Sequence, residues 1–386
     1  MTQLQKGLQR EIAAFSEAIL SDGGSIPEVS KAAFCKARKK LKPSAFIELS
    51  KLVLETFYKR EEVIRWHGYR VLGVDGSTIE LPNSADIREQ YGVFQSRDDG
   101  KAVCLGRTLL IYDTLNHLTL YGSVDKMAVS ETNMFIESIE QQAPDSKDLF
   151  VFDRYYASQL LYFFLAQQGV RFCMRLKLNW WEPAKKFYAS GKASEVLTIQ
   201  LPQDDMERAK ELGITLTSTR VRLVRVELPG GVTELLLTNL TNERQFSVAA
   251  IKELYALRWP VEEAYKSFKH KVCLGNFSGK SKKAVLQDFY VKLFIMNLTA
   301  VLAVPINQAL AKKTVKVKYH HQCNFTEALA TMKKAVVSLF ITNKVTTALQ
   351  RCIERFYRFT EPIRPRRKNN RKRLPKRKFY MNYKMP

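Results

Sequence analysis

Four polar side chains follow one another at helical spacing in the stretch from residue 255 to residue 269, YALRWPVEEAYKSFK. They are Tyr255, Arg258, Glu262 and Lys269, and the last three follow the first by three, seven and fourteen positions. These offsets predict one helix face that carries a phenol, a guanidinium, a carboxylate and an ammonium group. Pro260 must then lie in the first turn of the helix or mark a kink. A surface helix carries similar charges for solubility, so the spacing alone leaves both interpretations open.

Two aspartates follow apolar runs that are typical of buried strands. Asp75 lies in VLGVDGSTIEL, and Asp153 ends the run LFVFD. An ionised carboxylate at the end of a buried strand is unfavourable unless something compensates its charge. A divalent cation shared with a third carboxylate, for which Glu262 is the candidate, would compensate both. The alternative for each aspartate is a turn or a helix cap, and the Gly-Ser pair after Asp75 suits a turn.

The order of these motifs resembles the IS-four family of insertion-sequence transposases, which are DDE enzymes with an RNase H-like core. The family signature is Tyr, two residues, Arg, three residues, Glu, six residues and Lys, and the chain has it in full. The resemblance covers roughly residues 71–310. One position departs from the pattern, because the family commonly has a small residue two positions after the second aspartate, where this chain has Tyr155. The geometry of that loop is therefore open.

The resemblance implies a catalytic and metal-binding triad of Asp75, Asp153 and Glu262. Asp75 would bridge two ions, and the other two carboxylates would complete one coordination shell each. Oxygen ligands without His or Cys favour Mg²⁺ or Mn²⁺. The implied activity is binding of the element ends, metal-dependent cleavage of DNA, and joining of the 3′-hydroxyl ends to target DNA.

Several cations are predicted to contact DNA phosphates. The resemblance implies that Arg258 and Lys269 hold phosphates near the cleaved end and that Tyr255 hydrogen-bonds one of them. A second group lies in the C-terminal segment 364–386, which is rich in Arg and Lys and has no acidic residue. The predicted DNA-binding residues of this segment are Arg366, Arg367 and Lys368.

The overall charge agrees with a polyanionic partner. The 386 residues contain 62 Lys and Arg against 38 Asp and Glu, a net charge of +24. Double-stranded DNA, as element ends and as target, is the expected partner. A homodimer is expected because a synaptic complex holds two ends. No membrane partner is expected, since the apolar stretch 285–306 is interrupted by polar residues and resembles a buried core helix. The expected location is the bacterial cytoplasm, on the nucleoid when DNA is bound.

The expected fold is α/β, an RNase H-like mixed sheet flanked by helices, with a β-rich insertion and a helical N-terminal region. The predicted regions are a helical, DNA-binding region at 1–66, the first part of the catalytic core at 67–177, the insertion at 178–243, the second part of the core at 244–345, and a basic tail at 346–386. The N-terminal helices, with the basic cluster from Lys36 to Lys42, suit either a helix-turn-helix DNA reader or a helical cap on the core.

Two other functions are compatible with parts of this pattern. A catalytically inactive DNA-binding protein derived from a transposase is one, although all three acids and the full signature are present. Another RNase H-like nuclease is the second, although the long insertion, the helical front and the basic tail argue against it.

Overall fold

The computed structural model describes residues 8–21, 25–59, 63–95, 100, 102–142, 144–178, 181–228, 231–313, 317–341 and 345–364. The chain divides into two compact units. The first unit comprises residues 1–61, 78–106 and 266–386, and the second comprises residues 62–77 and 107–265. The boundary between the units falls within two strands and one helix.

The second unit holds most of the strands. They are β1 (Arg70–Leu81, to residue 77), β3 (Ala102–Asp113, from residue 107), β4 (Leu118–Lys126), β5 (Asp148–Phe152), β6 (Arg171–Leu176), β7 (Ser194–Gln200), β8 (Ser218–Leu228) and β9 (Val232–Thr238). Its helices are α5 (Glu131–Gln142), α6 (Gln159–Gln167), α7 (Glu182–Ala189), α8 (Met206–Glu211), α9 (Val248–Ala256) and the first part of α10 (Pro260–His270). A short 3₁₀ turn, Gln203–Asp205, precedes α8.

These strands form one mixed sheet in the order β4-β3-β1-β5-β6-β9-β8-β7. Strand β1 is parallel to β5, and β5 is parallel to β6. Strand β3 runs antiparallel to β1, because the amide of Thr114 donates to the carbonyl of Val71 while the hydroxyl of Thr108 donates to the carbonyl of Ser77. Strands β4, β3 and β1 lie side by side, and β1 is next to β5. Strands β5 and β6 continue the sheet parallel to β1, and helices connect them along the chain. This order is the RNase H-like arrangement. The predicted fold class is therefore confirmed.

Both faces of this sheet are covered. Leu72 and Val74 face a core that includes side chains of α5 and α6, whereas Val71 faces a second core with Ile251 and Leu254 of α9. Alternate residues of β1 thus enter opposite cores, as the two-residue period of a strand requires. Burial on both faces explains why residues 71–74 of β1 and residues 149–152 of β5 form continuous runs without polar side chains rather than alternating.

The predicted β-rich insertion continues the main sheet. Strand β9 pairs antiparallel with β6 from Cys173↔Thr238 to Leu176↔Leu235, and β8 and β7 extend the sheet outward from β9. The intervening segment between the parallel strands and α9 therefore adds strands to the same sheet.

The first unit is mainly helical. Its elements are α1 (Leu8–Ser21), α2 (Lys31–Arg38), α3 (Ser44–Tyr58), α4 (Ala85–Tyr91), α11 (Lys282–Lys313), α12 (Phe325–Ile341), α13 (Val345–Arg358), β2 (Phe94–Gln95), β10 (His321–Cys323) and β11 (Thr360–Pro362), with the remainders of β1, β3 and α10. Helices α3, α12 and α13 pack on α11.

Helix α11 is long and apolar enough to cross a membrane by length and composition, but 67% of its most apolar window is buried within the protein. Its polar interruptions are also buried and hydrogen-bonded. Lys292 donates to the carbonyls of Cys273 and Asn276, and Asn297 donates to Ser50. These contacts are those of the buried core helix that the sequence predicts.

Helix α13 (Val345–Arg358) occupies the first part of the range 346–386 that was predicted as a basic tail. Ala348, Cys352 and Phe356 are buried at intervals of four residues, so this part of the range has a packed helix face. The tail residues Arg366, Arg367 and Lys368 lie outside the described residues.

Candidate active site

Asp75 lies within β1, at the point where full burial of the strand ends. Residues 71–74 are buried, whereas Asp75 is half-buried, and β1 continues to Leu81. The alternative of a turn at Gly76 is therefore wrong, because the Gly-Ser pair belongs to the strand. Burial raises the pKa of Asp75 to about 7, and although Arg258 opposes that shift, the charges of Asp153 and Glu131 add to it.

Asp153 comes directly after β5, as predicted. The register of the parallel pair matches Gly73 with Val151, and continuing it by two residues places Asp75 beside Asp153. The two carboxylates therefore meet at one edge of the sheet. This proximity agrees with the contribution of the Asp153 charge to the raised pKa of Asp75.

The Tyr155 departure does not disturb this strand end. The amide of Tyr155 donates to a carboxylate oxygen of Asp153 at 2.7 Å, and the Tyr155 ring is 57% exposed. Tyr155 is not among the non-glycine residues with positive φ in the described part of the chain. The loop conformation therefore does not require glycine, which removes the geometric objection to this position.

The signature stretch is not one helix. Helix α9 ends at Ala256 and α10 begins at Pro260, so Tyr255 lies on the first helix, Glu262 on the second and Arg258 in the turn between them. The expectation of a single helix face is wrong because Pro260 has no N–H to continue the ladder and occupies the first position of α10.

The turn brings Arg258 against Glu262. A guanidinium N–H of Arg258 donates to a carboxylate oxygen of Glu262 at 2.5 Å, and the two side chains are 12% and 29% exposed. Arg258 also interacts electrostatically with Asp75. Its guanidinium carbon lies 5.9 Å from the centre of the Tyr255 ring. Burial raises the pKa of Tyr255 to about 12, so its phenol keeps its proton at neutral pH.

Helix α10 is fixed to β1 at Asp75 and at Gly73. The hydroxyl of Tyr265, one turn after Glu262, bonds the backbone carbonyl of Asp75 at 3.0 Å. Val261 packs so closely on Gly73 that a Cβ there would lie 3.1 Å from the Val261 side chain. Gly73 thus allows the start of the Glu-bearing helix to approach the strand.

Glu131 is a further acidic residue of this region, which the sequence reasoning missed. It is the first residue of α5, and its carboxylate occupies the place that a Cβ would take on Gly76. The hydroxyl of Tyr156 donates to Glu131 at 3.1 Å. Burial raises the pKa of Glu131, while the Tyr156 hydrogen bond and Arg107 oppose the shift. An acid in the first turn of a helix is ordinary, so only its proximity to Asp75 distinguishes this one.

The carboxylates are compatible with divalent cations in chemistry. Asp75, Asp153 and Glu131 offer the hard oxygen ligands that Mg²⁺ and Mn²⁺ prefer, and their mutual repulsion is what a cation would relieve. Within the described residues, no three acidic, His or Cys side chains are already placed to hold one ion together. Glu262 instead pairs with Arg258.

Lys269 lies near the C-terminal end of α10, in the part of that helix that belongs to the first unit. Its predicted phosphate contact stays a prediction. The same holds for the phosphate contacts predicted for Tyr255 and Arg258.

Sequence comparisons with known proteins agree with the family suggested by the motifs. The transposase InsG for insertion sequence element IS4 of Escherichia coli (strain K12) is 22% identical over 322 residues, which cover 82% of this chain and 70% of that protein. Among solved structures, the cryo-EM structure of the piggyBac transposase synaptic complex with hairpin DNA matches at 11% identity with a TM-score of 0.40. That alignment covers 74% of this chain and 57% of the piggyBac chain. The sequence model of the transposase DDE domain family matches residues 66–298. Since this match spans more than half of the chain, the protein belongs to the transposase DDE domain family.

Proposed function

We propose that this insertion-sequence transposase binds the ends of its element, cleaves them by metal-dependent phosphoryl transfer, and joins the resulting 3′-hydroxyl ends to target DNA. The observation that carries the proposal is the meeting of Asp75 and Asp153 at one sheet edge, with Arg258 and Glu262 on the adjoining turn and helix. Family membership supplies the reaction class.

The residues that would hold metal are Asp75, Asp153 and Glu262. Two bound Mg²⁺ or Mn²⁺ ions supply an activated oxygen nucleophile and stabilise the leaving oxygen of a phosphodiester. The chain positions these acids through the parallel register of β1 and β5 and through the Tyr265 bond to β1. Rigid secondary structure, rather than a loop, thus fixes two of the three carboxylates.

Arg258 has two roles in this proposal. It holds the Glu262 carboxylate in one orientation, and it reduces the negative charge that DNA meets beside Asp75. We propose that Tyr255, Arg258 and Lys269 contact phosphates near the cleaved end, and that Arg366, Arg367 and Lys368 contact phosphates farther along the DNA. Two copies of the chain would hold two ends in the synaptic complex.

Cleavage of labelled duplexes from the DNA that flanks the gene tests the proposal. We expect cutting at the two ends with Mg²⁺ or Mn²⁺ and none with EDTA. Asp75→Asn, Asp153→Asn and Glu262→Gln should each abolish cutting while DNA binding persists. Glu263→Gln is the matched control, because Glu263 is the exposed neighbour of Glu262 on the same helix.

The outcomes separate the alternatives. Specific binding of the ends without cutting under either metal would favour an inactive DNA-binding derivative. Cutting without preference for the ends would favour a general nuclease. If Glu262→Gln cuts as well as Glu263→Gln, Glu262 is not the third carboxylate.

A further inference from the structure

Arg38 belongs by sequence to the basic cluster from Lys36 to Lys42, but its side chain is not on the surface. It is 8% exposed and forms an ion pair of 2.9 Å with Asp288 of α11, which is 1% exposed. Its other N–H groups donate to Gln287 at 2.7 Å, to Ser278 at 2.5 Å and to the carbonyl of Ala284 at 3.0 Å. One guanidinium thus binds both the start of α11 and the loop before it.

The contact is reciprocal. The side-chain amide of Gln287 donates to the carbonyl of Arg38 at 3.0 Å and to that of Leu41 at 2.7 Å. Asp288 also accepts the amide and hydroxyl of Ser278. The end of α2 and the first two turns of α11 are therefore fixed to each other, because each helix satisfies polar groups of the other.

This contact joins two groups of lysines that are distant in sequence. We call them together the lysine surface: Lys36, Lys39, Lys40, Lys42, Lys280, Lys282 and Lys283. All seven are exposed. The ammonium of Lys283 donates to the carbonyl of Lys39, so the two groups lie side by side.

The sequence around both lysine groups contains few acids. No Asp or Glu occurs from residue 29 to residue 47 or from residue 264 to residue 287. Asp288, the next acid, is buried on Arg38. Asp86 accepts the backbone amide of Lys282. Like charges held close together favour an anionic partner with regularly spaced charges.

We propose that the lysine surface binds the phosphate backbone of duplex DNA, as one contact area composed of the end of α2 and the start of α11. The proposal rests on the proposed function for its partner, but it assigns binding to a surface outside the candidate active site. In this arrangement Arg38 is a positioning residue, which aligns the two lysine groups without contacting DNA. The binding is independent of base sequence, because ammonium groups contact phosphates and not base edges.

Fluorescence anisotropy of a labelled end duplex, measured over a range of salt concentrations, tests the surface. The variant carries four Lys→Gln changes, at Lys40, Lys42, Lys282 and Lys283. Each phosphate contact contributes about 0.9 to the slope of log Kobs against log salt, so the slope should fall by about 3 to 4. The control carries the same four-charge change on exposed lysines of the second unit, at Lys185, Lys186, Lys192 and Lys210. Its slope should stay within about one unit of the wild type.

Arg38→Lys tests the positioning role without changing the net charge. Lysine cannot reproduce the four donor contacts of the guanidinium, so the two lysine groups should lose their alignment. We expect the affinity for the duplex to fall at least tenfold at unchanged charge. Thermal unfolding of the variant shows whether it is folded at the temperature of the binding measurement.

The result that overturns the proposal is a salt slope for the four-lysine variant equal to that of its charge-matched control. Cleavage of the element ends by the wild type, together with that result, would leave the proposed function intact and refute the surface alone. Absence of cleavage together with a reduced slope would refute the proposed function and support the surface.

Discussion

Replacement of Asp75 by asparagine should stabilise the metal-free protein, and the gain should depend on pH. The folded protein raises the pKa of Asp75 from its ordinary 3.8 to about 7, chiefly by burial. The unfolded chain therefore binds fewer protons than the folded chain between these pH values, and stability falls as the pH rises through this window. Asparagine has nearly the same shape as aspartate but does not ionise, so the stability of the Asp75→Asn variant should not fall in this pH window.

The expected size follows from the two pKa values. The gain in the free energy of unfolding for Asp75→Asn should be about 1.5 kcal/mol near pH 5 and about 4 kcal/mol near pH 8. Urea denaturation of both proteins in EDTA at these two pH values measures the difference. Asp204→Asn is the control, because Asp204 is exposed and its replacement should change stability little at either pH. If Asp75→Asn raises the free energy of unfolding equally at both pH values, the argument that burial disfavours the ionised form of Asp75 is refuted.

Three further substitutions test the packing around the site and the helices. Arg38→Ala should lower the free energy of unfolding by about 3 to 5 kcal/mol, because Asp288 would be left buried without its partner, and a double variant with Asp288→Leu should recover much of it. Gly76→Ala should lower the free energy of unfolding of the wild type, because the new Cβ would meet the Glu131 carboxylate, but it should change that of the Glu131→Ala variant little. Equal losses in the two backgrounds would contradict the contact between Gly76 and Glu131. Tyr265→Phe should cost about 1 kcal/mol by urea denaturation, since its hydroxyl bonds backbone carbonyls of β1 and β3; no loss would mean that these bonds do not hold α10.

The strands and acids that could be predicted from the sequence are those marked by an uninterrupted apolar run. The apolar runs before Asp75 and Asp153 predicted buried strands. The structure gives the reason for these runs, since both faces of the sheet are covered there. Such strands can be predicted because their apolar residues are consecutive in the sequence.

The missed features depend on contacts between distant segments. Nothing near Glu131 in sequence indicates that its carboxylate fills the space above Gly76, more than fifty residues earlier. Arg38 appeared as one more cation in a basic cluster, because its partner Asp288 is 250 positions away. The spacing of the signature residues did not decide whether the helix is interrupted before Pro260, since a proline is compatible with the first turn of a new helix and with a kink in a continuous one.

The candidate site is rich in negative charge, whereas the chain as a whole is strongly positive. Asp75, Asp153, Glu131 and Glu262 meet Arg258 and Arg107, so negative groups outnumber positive ones at this place in a chain of net charge +24. A phosphate that approaches Asp75 would therefore meet like charge, whatever the lysines elsewhere in the chain attract. Burial is the main cause of the raised pKa of Asp75, and the charges of Asp153 and Glu131 add to it. We therefore expect a site of this kind to bind divalent cations before it binds a phosphodiester.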